Sequence, residues 1–119
     1  MKFISVYTRD EKSPSPMSGA QMAEMGKLIE ETTKSGTLVL TGGILPISKG
    51  GARVRASSGA ISVDGPFTEA KEIVGGFAIM EAKSKEEAIE MVTKFLNIAG
   101  DGECELHQLM EPGDERPNQ

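Results

Sequence analysis

Two short words in this chain do most to limit what it can fold into. Ser18-Gly19-Ala20-Gln21 and Ser84-Lys85-Glu86-Glu87 each set a serine three residues ahead of a Gln or Glu. At that spacing the hydroxyl accepts from the N3 amide and the longer side chain reaches back to the cap. Behind the first word, Met22, Met25, Ile29 and Thr32 recur at helical spacing beside Leu28, and Gly36 supplies a left-handed stop. The predicted helix runs from Ser18 to Ser35, with Glu24, Lys27, Glu30, Glu31 and Lys34 mostly outward. Behind the second word, Ala88, Ile89, Val92, Phe95, Leu96 and Ala99 form a broad apolar stripe that Gly100 closes. Two helices with one apolar stripe each must cover one face of a single sheet.

The remaining segments supply that sheet. Residues 2–8 alternate Phe3, Ser5 and Tyr7 against Ile4, Val6 and Thr8. Both sides carry apolar groups, which predicts a central strand covered on both faces. A polar loop with two prolines follows, from Arg9 to Pro16. Thr37 to Thr41 reads as a second strand that Gly42-Gly43 ends. Ala52 to Ser57 sets Arg53 and Arg55 against Val54 and Ala56, and Ser58-Gly59 turns the chain back into Ala60 to Val63. Asp64-Gly65-Pro66 breaks that ladder, and Thr68 to Glu72 is too short for more than a turn or one helical turn. Val74 to Ala82 is a strong strand in which Gly75-Gly76 allows a bulge. Glu103 to Met110 alternates Cys104, Leu106, Gln108 and Met110 against Glu105, His107 and Leu109. The order β-α-β-(hairpin)-β-α-β predicts an α+β fold, the ferredoxin-like split β-α-β with an inserted β-hairpin. Residues 1–111 form one domain, and 112–119, with Pro112, Gly113 and Pro117, read as a flexible tail.

Composition narrows the function classes. Among 119 residues there is no Trp, and seven Met stand in for aromatics as core filler. The fold is therefore expected to be thin, and a homodimer burying a further sheet face suits it. Eighteen acidic residues against 13 basic ones give a net charge of -5. With no run of Lys or Arg, this argues against binding to nucleic acid or to anionic membranes. The lone Cys104 has no disulfide partner, no apolar leader opens the chain, and no run approaches the roughly 18 apolar residues of a membrane span. A cytoplasmic protein is expected.

The densest chemistry lies between Val63 and Phe77: Asp64, Glu69, Lys71 and Glu72 fall within nine residues. The words Asp64-Gly65-Pro66-Phe67, Glu69, Lys71-Glu72 and Gly75-Gly76-Phe77 resemble the signature of the DGPF group of the YCII-related family. Thr41-Gly42-Gly43-Ile44-Leu45-Pro46 and Glu105-Leu106-His107-Gln108-Leu109-Met110-Glu111 resemble the same group. The similarity runs over residues 1–111. It implies a dimeric α+β barrel, two ferredoxin-like subunits with sheets face to face, helices outside and a pocket at the sheet interface. It also implies enzymatic activity of unassigned kind and a link, in some members, to extracytoplasmic-function sigma factors. One branch of the family pairs a first-helix histidine with an aspartate. Met25 falls at about that position here, so the dyad does not carry over.

Each candidate reads two ways. Asp64 is either a base or ligand anchor at a strand end, or the cap of its own Asp-Gly-Pro turn. Glu69 and Lys71 either line a polar pocket or are solvated turn charges, and Glu72 reads as the latter. His107 is either an acid–base group or a half-buried strand histidine. Arg53 and Arg55 either clamp an anion or protect a hairpin edge. Tyr7 and Arg9 end the first strand where they can border a pocket, and Cys104 reads as a small core hydrophobe. The glycine pairs form no phosphate loop or dinucleotide fingerprint, and the single histidine supports no metal site, so no cofactor is expected. The leading expectation is an enzyme acting on a small organic molecule in a dimer-interface pocket, with Asp64 and His107 catalytic and Tyr7, Arg9, Glu69 and Lys71 holding the substrate. The alternatives are a ligand-binding or regulatory module, with a sigma factor as one partner, and a vestigial dimeric scaffold.

Overall fold

A computed structural model describes residues 1–10, 17–65 and 72–113; at Asp10 and residues 72–74 it describes the backbone alone. The helices form where their caps predict. Helix α1, Gly19–Lys34, starts on a complete capping box: Gln21 N donates to Ser18 Oγ at 3.1 Å, and Ser18 N donates to Gln21 Oε1 at 2.8 Å. Past its C-cap Ser35, Gly36 takes φ +81°. Helix α2, Lys85–Ala99, forms the serine half of its box, with Glu87 N donating to Ser84 Oγ at 3.1 Å. Glu86 and Glu87 sit in its first turn, where the helix dipole favours negative charge.

Four strands make the main sheet: β1 Lys2–Asp10, β2 Leu38–Gly43, β5 Glu72–Glu81 and β6 Glu103–Gln108. Between β2 and β5 in sequence lie β3, Arg53–Ser57, and β4, Ala60–Asp64. The sheet runs β2-β5-β1-β6, and every neighbouring pair is antiparallel. The fold is thus α+β, of the ferredoxin-like type. Register assigns the faces. Phe3 pairs with Met80 and Gln108, Ser5 with Ala78 and Leu106, and Tyr7 with Gly76 and Cys104, so these residues share one face. The helices pack on that face, where Phe3, Met80, Ala82 and Ala88 form the core with Met91 and Val92 against it. The other face carries Ile4, Val6, Ile79 and Leu40, with Glu105 and His107 on the β6 edge.

The chain's own helices cover one face of the central strand β1, and no described element of the same chain lies over Ile4 and Val6 on the other. Two expectations change here. Gly42-Gly43 does not end β2 but continues it, pairing with Phe77 and Gly76. Glycine is needed there because a Cβ on Gly42 would lie 3.0 Å from the Phe77 ring, and one on Gly76 would lie 2.9 Å from the Gly42 carbonyl oxygen. Glu72 belongs to β5, not to a turn. The bulge falls where the glycine pair allows it: Tyr7 pairs with Gly76 and Thr8 with Val74, leaving Gly75 unpaired with β1.

Strands β3 and β4 form a separate two-stranded sheet closed by Ser58 at φ +51° and Gly59 at φ +81°. Positive φ at both central residues is the turn that matches strand twist. This ribbon stands away from the main sheet as an arm.

Candidate functional site: a cavity between the helices and the sheet

The apolar stripe of α1 does not close onto the sheet. Among the described residues it leaves a cavity of about 1090 Å³ between α1, α2 and the helix-covered sheet face. Met25, Leu28 and Ile29 of α1, Val92 and Phe95 of α2 and Met80 of β5 give it apolar walls. Such a volume holds a small organic molecule with room to spare. Thr32 and Thr41 also line it, yet both hydroxyls are already engaged: Thr32 donates to the Leu28 carbonyl at 2.6 Å and Thr41 to the Phe77 carbonyl at 2.8 Å.

The polar end lies where β1 finishes, α1 begins and α2 stops. Tyr7, Arg9, Gln21 and Asp101 line it. The Tyr7 ring stands edge-on to Phe95, centroids 5.2 Å apart at 79°, and its hydroxyl donates to the Asp101 carbonyl at 2.9 Å. Burial raises the Tyr7 pKa; Arg9 nearby opposes the rise, and Cys104 and Asp101 add to it. The phenol therefore stays protonated and acts as a donor. Gln21 completes the α1 cap and also donates from Nε2 to the Ile98 carbonyl at 3.0 Å, joining the start of α1 to the end of α2. Cys104 lies beside Ser5 and Tyr7, and burial pushes its thiol up. That environment makes it a core group, not a nucleophile.

The structure separates the residues expected to act together. Tyr7 and Arg9 line the cavity. Asp64 does not; it sits at the end of β4 on the arm, with its carboxylate Oδ2 3.1 Å from Arg55 Nε. His107 lies on the open face, opposite Ile4, with Nε2 2.6 Å from Glu105 Oε1. The sheet stands between this pair and the cavity. Glu69 and Lys71 fall outside the described residues. The cavity lies on the helix side of the sheet, where α1 stands off the strands; the pocket that the resemblance implied belongs to an interface between two subunits, which one chain alone does not form. No group of three or more metal-ligating side chains occurs among the described residues, and no described helix is long and apolar enough to cross a membrane.

Reasoning from sequence missed the α1 wall. Met25, Ile29 and Thr32 carry the periodicity of a core stripe, and a stripe that faces a space looks the same in sequence as one that faces a neighbour. Thr32 was the available signal, a hydroxyl in an otherwise apolar row.

No curated protein matches the chain. Among solved structures it is similar to 5-chloro-2-hydroxyhydroquinone dehydrochlorinase from Burkholderia phenoliruptrix AC1100 in complex with 2,5-dihydroxybenzoquinone. The identity is 17% and the TM-score 0.48, over 92% of this chain and 94% of that one. A family model described as the YCII-related domain matches residues 1–105, both helices and every strand but the end of β6. The chain belongs to the YCII-related family.

Proposed function

We propose that this protein binds a small organic molecule with an apolar body and a polar head in the cavity between its helices and sheet. The cavity carries the reading: a space of about 1090 Å³ with apolar walls and Tyr7, Arg9 and Asp101 gathered at one end. Arg9 offers a planar fork to an acidic or carbonyl oxygen. Met25, at about the position where one branch of the family has a histidine, is buried and lines the wall. A thioether there packs against a ligand and moves no proton.

We place the chain in the DGPF group on the words around Asp64 and read it as a homodimer. Ile4, Val6 and Ile79 lie half-buried with no described element over them, and a second sheet would cover them. A second reading, catalysis by acid–base chemistry, draws on the His107–Glu105 pair. A carboxylate 2.6 Å from an imidazole nitrogen is the arrangement that orients a general base. On the open face it would act between subunits and not in the cavity.

A thermal-shift screen against several hundred metabolites tests the first reading. A ligand at about 100 times its Kd stabilises the native state by about 2.7 kcal/mol. A hit that Arg9→Ala weakens and His107→Ala leaves unchanged supports the cavity. A hit with the reverse pattern moves the site to the open face, and no hit removes the binding reading.

A further inference from the structure

We propose that the β3–β4 hairpin is an exchange arm whose apolar face is covered by a second copy of this chain. The proposal rests on the homodimer read above. The ribbon is amphipathic by register. Val54 pairs with Val63 and Ala56 with Ile61, so these four side chains share one face; Arg53 pairs with Asp64 and Arg55 with Ser62 on the other. Among the described residues nothing covers the apolar face: Val54 is 64% exposed, Ile61 68% and Val63 66%. Among the described residues no helix or further strand pairs with it or packs extensively against it. A two-stranded ribbon of this kind is marginal in water unless something packs on it.

A second copy is the occupant for two reasons. First, the same chain presents a further uncovered apolar surface, the open sheet face with Ile4, Val6, Ile79 and the exposed Leu40. Leu45, in the segment that leads from β2 to the arm, is exposed as well. Second, area favours it. Four strands with about six paired residues each present a footprint of roughly 400 Å², about half of the ~800 Å² per partner that a stable interface buries. An arm face adds roughly 150 Å², and in a two-fold pair each copy gives one arm and receives one. Only reciprocal exchange brings the contact close to the usual size.

Hydrogen exchange tests the arm, with light scattering on the same samples above and below the dissociation concentration. Backbone amides of residues 53–64 are expected to exchange about tenfold or more slowly in the dimer than in the monomer. A photo-reactive residue in place of Ile61, mixed with a tagged wild-type copy, is expected to give a two-chain adduct that carries the tag. Ile61→Asp, a change at a position exposed in the protomer, is expected to raise the dimer Kd at least about tenfold. A dimer whose arm amides exchange equally fast at both concentrations overturns the arm and leaves the dimer standing. A monomer at every concentration overturns both. An adduct confined to one chain, or an arm protected in the monomer, shows that the arm folds onto its own body and overturns the exchange. If the probe captures a different protein in cells while the arm of the purified dimer stays unprotected, the second copy is the wrong occupant.

Discussion

Tyr7 stands edge-on against Phe95 and donates its hydroxyl to the Asp101 carbonyl, so one side chain joins β1, α2 and the turn before β6 at the polar end of the cavity. Removing the hydroxyl alone separates the two contacts. Tyr7→Phe keeps the ring pair and leaves the Asp101 carbonyl to water. It is expected to cost about 1 kcal/mol, read as a lower urea midpoint at unchanged slope. Phe95→Ala removes the ring pair and opens the cavity further, with an expected loss of about 2–3 kcal/mol.

The ring also sets what the neighbouring backbone can carry. At Gly102, φ +151°, an added Cβ would lie 2.5 Å from Tyr7 Cε1 and 2.8 Å from the Thr8 carbonyl oxygen. Gly102→Ala should therefore destabilise by about 2 kcal/mol or more. Gly26, inside α1 with nothing near its would-be Cβ, is the contrasting case. Gly26→Ala should stabilise by about 1 kcal/mol. Thermal denaturation of the two variants beside wild type checks both signs.

These contrasts show what the sequence could and could not tell. The Ser18–Gln21 box, the Gly36 stop, the Ser58-Gly59 turn and the alternation of Cys104 and Leu106 against Glu105 and His107 are local, and local chemistry decides them. Gly42-Gly43 reads as a break because two glycines weaken a strand. It continues β2 because the Phe77 ring and the Gly76 backbone come from a strand more than thirty positions away in sequence. Asp64 offered a pocket group or a turn cap. The pairing of β3 with β4 brings Arg55 to its carboxylate, a contact that needs the register of the whole hairpin. The cavity was invisible for a different reason: periodicity records which way a helix faces, not how far away its neighbour stands.

Filling the space should separate stability from binding. Thr32→Leu gives up a hydroxyl bonded to its own helix and places an isobutyl group in the cavity. The expected outcome is a protein about 0.5–1 kcal/mol more stable with ligand affinity reduced tenfold or more. Chemical denaturation and the ligand-induced shift in Tm measure the two effects on one sample.

Alkaline pH should weaken the fold in steps. The Cys104 thiol is raised above its ordinary 9.0 by burial, which a Ser5 hydrogen bond partly offsets, and the Tyr7 phenol is raised above 10.0 by burial. A raised folded pKa means that the native state holds its proton where the unfolded chain has lost it. Stability is then full below the unfolded value and declines as pH climbs to the folded one. Unfolding free energy should be flat through neutral pH on account of these groups and fall from about pH 9 upward. Cys104→Ala should delay the onset to the tyrosine's range. In the native protein at pH 7, Cys104 should alkylate far more slowly than in urea, which mass spectrometry of iodoacetamide adducts reads directly.

The Gln21–Ile98 bond has a consequence for how fast a ligand arrives. It holds the start of α1, the positive end of that helix dipole, against the negative end of α2. Arg9 and Asp101, on the same rim, are likewise one of each sign. Among the described residues the rim therefore carries a local dipole and little net charge of its own, although the chain as a whole is acidic. Long-range steering scales with net potential and vanishes with salt. The rim itself should neither attract nor repel an arriving charge, so any salt dependence of capture should be that of the chain's net charge of -5, and selectivity is left to the orientation of the molecule once it is inside.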